Sequence, residues 1–254
     1  KLEAKGRETQ RRPAFSLVEI QAMIDGFDSW VERGRNDAAK ESRQLLRDYV
    51  LMLLDTGARP GKELLNLRWS QIKEEISPVM SEATYIKDDD GSKEEIRQHD
   101  LRRSVLMHVA GKTGKREILG MARCSNALRA IARRKYPNVE YPLLAPLTNV
   151  ARPDNSTFVF GSGIDNNVTS TFQKMFERYL EEHNLLIDPV TNQKRVLYSL
   201  RHTYATLMLT YDSTNPHTLA RQMGTSIAML EKHYSHLKVQ QAIEQLRGEE
   251  RRQL

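Results

Sequence analysis

Two short segments of the sequence place a single basic side chain on a tight connection. In Thr-Gly-Ala-Arg-Pro-Gly-Lys-Glu, at residues 56–63, a helix stop at glycine precedes a helix start at proline, so Arg59 can point at a ligand. Glu63 follows one helical turn later and can hold that guanidinium, although a role for Arg59 in capping the preceding helix fits equally well. In Gly-Lys-Thr-Gly-Lys, at residues 111–115, a predicted hairpin turn lets Lys112 approach a phosphate or a base edge. An ordinary solvated turn has the same composition, and the spacing of a phosphate-binding P-loop is absent.

Two further segments nearer the C-terminus carry arginine, histidine and tyrosine. Ser199 is predicted to cap a helix whose first turn holds Arg201 and His202, so that backbone N–H groups, the helix dipole and a guanidinium converge on one anion. A histidine in such a helix is also a common buried packing residue. Residues 223–236 are predicted to form a short helix that ends in a polar cluster around Tyr234, although a lone tyrosine at a helix end usually serves packing.

In this order the four segments resemble the catalytic domain of the tyrosine recombinases, the phage-integrase family. That family has an arginine in Thr-Gly-x-Arg-x-x-Glu, a lysine on a β-hairpin, a His-x-x-Arg-His segment, a glycine followed by His or Trp, and a nucleophilic tyrosine nine residues after that His or Trp. The chain matches this pattern with Arg59, Glu63, Lys112, Arg201, His202, Gly224 and Tyr234, with His236 after it. The resemblance runs from about residue 14 to residue 247.

The chain departs from the family pattern in residue type at two positions. Tyr198 stands where the family has the first histidine of His-x-x-Arg, and Thr225 stands where it has His or Trp. Tyr234 lies nine residues after Thr225, so the spacing is kept. Both replacements keep a hydroxyl that can donate to a phosphate oxygen, but neither can carry a positive charge or act as a base near neutral pH.

The resemblance implies a site-specific recombinase that cleaves and rejoins DNA through a 3′-phosphotyrosyl intermediate. Tyr234 would be the nucleophile, and because the covalent link stores the bond energy, no cofactor and no metal is expected. Arg59 and Arg201 would stabilise the charge of the transition state. Lys112 would be the general acid, and Tyr198 and Thr225 would be hydrogen-bond donors. Glu63 would orient Arg59, and His202 would be a supporting imidazole.

Hydrophobic periodicity predicts a mainly α protein with a small antiparallel β-sheet, which is an α+β class. The resemblance implies the DNA breaking-rejoining enzyme fold. Helices are predicted at 16–31, 41–56, 60–67, 125–136, 168–183, 199–211, 216–223, 226–234 and 238–247. Strands are predicted at 71–76, 84–87, 104–110 and 116–119, and a long connection at 137–163.

Charge is unevenly distributed along the chain. The 254 residues carry a net charge of +6, yet an acidic stretch at 74–100 precedes a basic one at 101–135. A basic block of that density is typical of a phosphate-binding surface, although a solvated helix face is the alternative. The resemblance implies double-stranded DNA at a specific recombination site as the partner, and we expect Lys115, Arg116, Arg102 and Arg103 to contact it.

The organisation expected from the sequence is one catalytic domain at 14–254 behind a basic interdomain linker at 1–13, without the N-terminal core-binding domain of the family. Residues 238–247 are predicted to form a C-terminal helix that docks on a neighbouring protomer or folds back on its own domain. A homo-tetramer on DNA is expected, with a monomer possible in isolation. No apolar run could span a bilayer and no signal peptide is present, so a soluble cytoplasmic protein without membrane contact is expected. A single cysteine, Cys124, excludes an internal disulfide.

Two alternative functions remain open at this stage. Because Tyr198 and Thr225 replace family residues, the chain could be a DNA-binding protein of the same fold with lost or reduced cleavage. A type IB topoisomerase shares the chemistry, but the short hairpin at 111–115 and the Gly-Thr-Ser-Ile segment are more similar to integrases of mobile genetic elements.

Overall fold

The structure is a computed structural model that describes most of the chain. The described residues are 12–80, 84–87, 93–96, 99–111, 114–142, 145–149, 156–162, 167–168, 171–212 and 214–232. Several sequence predictions lie outside these ranges, namely residues 1–11 of the predicted linker, Lys112, Tyr234, His236 and the C-terminal helix at 238–247.

The described part of the chain alternates helices with short strands. The helices are α1 (Leu17–Glu32), α2 (Asp37–Thr56), α3 (Lys62–Leu65), α4 (Ala122–Lys135), α5 (Phe172–Glu182), α6 (Leu197–Thr210) and α7 (Pro216–Met223), and residues 227–232 are also helical. The strands are β1 (Ile72–Met80), β2 (Thr84–Lys87), β3 (Lys93–Ile96), β4 (His99–Gly111), β5 (Gly114–Gly120), β6 (Gly161–Ser162) and β7 (Asn167–Val168). The predicted α+β class is confirmed.

Helix α2 forms the centre of the domain. Its buried face packs against α1, α4, α5 and α6. Helix α1 covers one side of α2 and begins with the predicted capping box, in which Ser16 and Glu19 cap each other. The ring of Phe27 stacks on Tyr179 of α5 with 4.2 Å between ring centroids. These contacts fix α2 in the core, so its C-terminal end is a rigid support for the loop that follows.

A three-stranded antiparallel sheet in the order β1-β4-β5 lies beside this helical core. Alternate residues of β4, among them Val105, Met107 and Val109, are buried, and β4 packs against α4 and α3. Val109 pairs with Arg116 of β5, and Gly111 pairs with Gly114. This pairing brings the end of the sheet close to the loop that follows α2.

Helices α6 and α7 share a smaller hydrophobic cluster with the residues that follow them. Tyr204, Leu209, Leu219, Met223 and Leu230 are its larger buried members. Helix α7 has the predicted bounds because Asn215 caps it, Pro216 opens it and Gly224 ends it in the left-handed conformation. The cluster therefore sets the position of Gly224 relative to α6.

Several predicted boundaries are wrong for identifiable reasons. Helix α2 starts four residues early because Asn36 caps it. Helix α4 starts three residues early because the Asp55 carboxylate accepts hydrogen bonds from the backbone N–H groups of Met121 and Cys124. Strand β1 extends beyond 76 because it pairs with β4 along its whole length. The charged strand β3 was not predicted, since Lys-Glu-Glu-Ile carries little hydrophobic signal.

The remaining sequence expectations are met in part. The predicted helix at 60–67 is the single turn α3, and the helix at 226–234 is described at 227–232. Within 137–163, the described residues are mostly irregular, with a 3-10 turn at Leu147–Asn149. None of the helices in the described ranges combines the length and the apolar character that a membrane span requires.

Candidate active site

The loop from Gly57 to Gly61, between α2 and α3, is held by two buried tyrosines. Gly57 ends α2 with φ 63°, and the Tyr204 ring lies so close that a Cβ at this position would be 2.1 Å from its Cδ1. Tyr49 accepts a hydrogen bond from the Gly61 N–H at 2.7 Å. Burial raises the pKa of Tyr204 to about 12. The loop that carries Arg59 is therefore fixed at both ends.

Arg59 is held by the carboxylate predicted for this role. Its Nη1 donates to Glu63 Oε1 at 2.9 Å and its backbone N–H donates to Oε2 at 2.8 Å, while Nη2 donates to the carbonyl oxygen of Gly224. Glu63 follows Arg59 by four positions, one more than in the family pattern, and the turn at Gly61 brings the carboxylate within reach. Because the guanidinium points to Glu63 and Gly224, the alternative that Arg59 caps α2 is wrong; Gly57 does this.

Arg116 binds the same carboxylate from the opposite side. Its Nη1 and Nη2 each donate to one oxygen of Glu63, both at 2.7 Å. Its side chain is 13% exposed and that of Glu63 is 2% exposed. Burial raises the pKa of Glu63, but the hydrogen bonds from Arg116 and Arg59 outweigh this effect and hold the pKa below its ordinary value. Arg116, predicted as a DNA contact, is thus committed to an internal ion pair.

Arg201 reaches the same loop from α6. Its Nη1 donates to the carbonyl oxygen of Gly57 at 2.6 Å, and the residue is only 4% exposed. Burial lowers the pKa of Arg201, and the nearby charges of Arg59 and Arg116 act in the same direction. A guanidinium that is buried beside two others is electrostatically suited to an incoming anion.

Tyr198 and His202 lie one turn apart on α6, next to Arg201. Tyr198 is 41% exposed, and His202 is buried with its ring edge-on to Tyr198 at 5.4 Å. The prediction that Ser199 caps this helix is wrong. The helix starts two residues earlier, at Leu197 after the cap residue Val196, and the Ser199 hydroxyl accepts from the Val196 N–H inside the first turn. Arg201 is therefore on the second turn, and no anion site at the helix N-terminus follows.

Helix α7 is docked onto this site by Gln222, a residue that the sequence prediction missed. Its Nε2 donates to the carbonyl oxygens of Thr56 and Leu119, and its Oε1 accepts from the Leu119 N–H. The following Gly224 has φ 62°, and a Cβ there would lie 2.7 Å from the Arg116 guanidinium carbon. Thr225, half-buried, comes directly after this contact.

The other predicted basic residues lie along the sheet. Lys115 is exposed next to Arg116, beside a cavity of about 410 Å³ that β4 and β5 line. Arg102 is exposed, and Arg103 donates to Asn126 at 3.4 Å. Both are six or seven residues from Val109 along β4, a separation of about 20 Å, so they do not join the arginine cluster.

The described residues bring three guanidinium groups, from Arg59, Arg116 and Arg201, around the single carboxylate of Glu63. The cluster therefore has an excess of two positive charges and is suited to a phosphate group. Gly111, which precedes Lys112, lies against the same carboxylate: a Cβ there would be 2.5 Å from Glu63 Oε1. Among the residues that the structure describes, no group of histidine, cysteine and acidic side chains could hold a metal ion.

The fold is similar to those of several solved DNA-processing enzymes. XerH site-specific recombinase, in a post-cleavage complex with its palindromic difH substrate, matches with a TM-score of 0.56 and 16% identity over 93% of this chain. The chain has the catalytic-domain fold of the tyrosine recombinases. The Tn1549 transposon integrase in complex with transposon right end DNA matches with a TM-score of 0.54 and 17% identity over 95% of this chain and 68% of its own.

A third match with this recombinase fold is XerA recombinase, with a TM-score of 0.52 and 18% identity over 91% of this chain and 64% of that one. The chain spans about half of XerH, 53% of its length. No family model matches the sequence, and no curated protein matches it. The predicted recombinase fold is thus confirmed by structure rather than by sequence.

Proposed function

We propose that the protein is a site-specific DNA recombinase of the phage-integrase type. The observation that carries this proposal is the convergence of Arg201 and Arg59 on one loop. Arg201 binds the Gly57 carbonyl although 144 residues separate them, and Arg59 lies two residues after that glycine. Two such guanidinium groups can clamp the two non-bridging oxygens of a phosphodiester.

The DNA partner is supported by the similar structures. XerH and the Tn1549 integrase were solved with DNA, and this chain has their fold. The excess positive charge of the arginine cluster and the exposed Lys115 fit a phosphate backbone. We extend the proposal to Arg102 and Arg103 as contacts farther along the same DNA.

Cleavage would follow the roles predicted from the sequence. The phenol oxygen of Tyr234 attacks the scissile phosphorus, the bond from phosphorus to the 5′-oxygen breaks, and a 3′-phosphotyrosyl link forms. The tyrosine proton leaves to water, and Lys112 donates a proton to the departing 5′-oxygen. Arg59 and Arg201 stabilise the negative charge that develops on the non-bridging oxygens of the phosphate. Rejoining is the reverse reaction with a 5′-hydroxyl from a second strand.

Tyr198 and Thr225 would act as neutral donors to the phosphate oxygens. The exposure of Tyr198 beside Arg201 supports this role, since its hydroxyl can reach a ligand that Arg201 binds. His202 supports Tyr198 through their ring contact. Because no imidazole stands at the Tyr198 position, we expect cleavage to be slower than in an enzyme that has one.

The assembly is proposed on the same basis. The domain from residue 14 onward would work as a tetramer on DNA behind the linker at 1–13, with the helix at 238–247 in contact with a neighbouring or its own domain. The reaction would take place in the cytoplasm, where the DNA of a mobile element and its host meet.

The decisive experiment looks for the covalent intermediate. The 254-residue chain is incubated with a pool of nicked duplexes with a randomised core, and DNA that remains attached after denaturation in SDS is recovered and sequenced. We expect an adduct whose DNA is enriched in one sequence motif. The adduct should be absent with Tyr234→Phe and retained with Tyr211→Phe, a control at an exposed tyrosine that ends α6.

Other outcomes separate the alternatives. DNA retention in a native gel without any adduct would favour a binding protein that has lost cleavage, the candidate that Tyr198 and Thr225 motivate. An adduct without sequence enrichment, together with relaxation of supercoiled DNA, would favour a type IB topoisomerase. Either result would contradict the recombinase proposal.

A further inference from the structure

We propose that Arg116 is a positioning residue of this site, which holds Glu63 so that Arg59 is directed at the scissile phosphate. The inference rests on the proposed function and adds to it a role that the recombinase pattern does not contain. Arg116 lies on β5, four residues after Lys112, so it also links the hairpin strand to the arginine loop.

The hydrogen-bond geometry shows how Arg116 acts through Glu63. Glu63 Oε1 accepts from the Nη1 atoms of both Arg59 and Arg116, and Oε2 accepts from the Arg59 backbone N–H and from Arg116 Nη2. The two-bond contact with Arg116 fixes the plane of the carboxylate. The Arg59 side chain donates one hydrogen bond to this carboxylate, from Nη1 to Oε1, so the two groups are not paired edge to edge.

Loss of Arg116 would change this arrangement in two ways. The carboxylate would be free to rotate and form its own two-bond pair with Arg59, which would occupy the guanidinium edge that a phosphate needs. One positive charge would also disappear, so the negative charge of Glu63 would cancel more of the field at the phosphate. Both effects weaken the interaction of Arg59 with DNA, although Arg116 itself does not touch it.

Arg116 also packs against the end of α7. Gly224 packs directly on its guanidinium, and the same glycine carbonyl accepts from Arg59 Nη2. Only glycine fits here, since φ is 62° and a Cβ would meet Arg116 at 2.7 Å. Arg116 therefore contacts Glu63 of α3, which holds Arg59, and the turn before Thr225.

The structure offers a matched control in a second buried arginine–carboxylate pair. Arg129 of α4 donates from Nη2 to Glu74 Oε2 at 2.7 Å and from Nε to Oε1 at 3.1 Å, and the two side chains are 3% and 0% exposed. This pair connects α4 to β1 and to the carbonyls of Pro142 and Ala145, away from the arginine cluster. Arg129→Lys should therefore reproduce the structural cost of Arg116→Lys without its effect on cleavage.

The test is a double-mutant cycle on the single-turnover cleavage rate, with the DNA sequence recovered from the randomised pool and saturating protein. Arg116→Lys should slow cleavage about tenfold or more in the wild-type background, as expected for a misplaced reacting group. In an Arg59→Lys background it should have little further effect, because the group through which it acts is already changed. The folded fraction of each variant is measured by circular dichroism. The cleavage rate of the folded fraction should be unchanged by Arg129→Lys in both backgrounds.

A second variant keeps the test decisive if Arg116→Lys does not fold. Glu63→Gln removes the carboxylate that links the two arginines. It should slow cleavage in the wild-type background and have little further effect in the Arg59→Lys background. Equal slowing in both backgrounds, or the same rates for Arg116→Lys and Arg129→Lys, would overturn the positioning role while the wild-type adduct stands. Absence of an adduct from the wild-type chain would overturn the proposed function and this inference together.

Discussion

Arg201 of α6 donates to the backbone carbonyl of Gly57 at 2.6 Å, and so connects two segments that lie 144 residues apart. The bond forms because Gly57 turns the chain at the end of α2 with a positive φ, so that its carbonyl oxygen faces α6. The orientation of Arg201 thus depends on the conformation of one glycine.

The first prediction concerns Gly57→Ala. A side chain at φ 63° costs about 1–2 kcal/mol, and here the new Cβ must also displace the Tyr204 ring at 2.1 Å. We expect a loss of more than about 2 kcal/mol in the free energy of unfolding, measured by urea denaturation. Gly114→Ala is the control, since its φ is 91° but a Cβ there meets nothing within 4 Å. Equal losses for the two variants would contradict the contact with Tyr204.

The second prediction concerns Gln222→Met, which keeps the length of the side chain and removes its hydrogen bonds. The variant loses the contacts to Thr56 and Leu119 that dock α7, so we expect about 1 kcal/mol less stability and slower cleavage. Gln173→Met removes a single bond to Glu177 on the exposed face of α5 and should be neutral in both measurements. A cleavage rate unaffected by Gln222→Met would show that the position of α7 does not matter.

Some features of the fold and of the site could be predicted from the sequence, and others could not. Helix and hairpin positions followed from local signals such as Ser16 and Gly57, and the family pattern located Arg59 and Arg201. The Asp55 cap of α4 and the docking by Gln222 join residues that are distant in sequence, so no local pattern could reveal them. Arg116 was recognised as basic, but its distance from Glu63 in the chain hid their pairing. From its charge it was predicted to contact DNA.

The third prediction concerns the pH dependence of stability through Glu63. Its pKa in the folded protein lies below the ordinary value, so the ionised carboxylate stabilises the fold above the unfolded pKa, and this stabilisation is lost as pH falls through the folded pKa. The stability difference between wild type and Glu63→Gln should therefore be largest near pH 7 and shrink below about pH 4.3. A difference that is constant with pH would contradict the charged pair.

The fourth prediction concerns Tyr198. Tyr198→Phe removes the proposed donor to the phosphate, and we expect cleavage to slow by about 100-fold with DNA binding retained. Tyr198→His should accelerate cleavage and add a titration near pH 6.5 to its pH profile, because an imidazole can carry charge there. Tyr211→Phe serves again as the control. An unchanged rate with Tyr198→Phe would exclude this hydroxyl from the reaction.

The most direct test of the account identifies the atom that becomes attached to DNA. The covalent adduct formed with the nicked pool is digested with trypsin and nuclease, and the peptide that carries the residual nucleotide is sequenced by mass spectrometry. The account predicts a nucleotide linked through its 3′-phosphate to Tyr234. A nucleotide on any other residue, or a linkage through a 5′-phosphate, would contradict it.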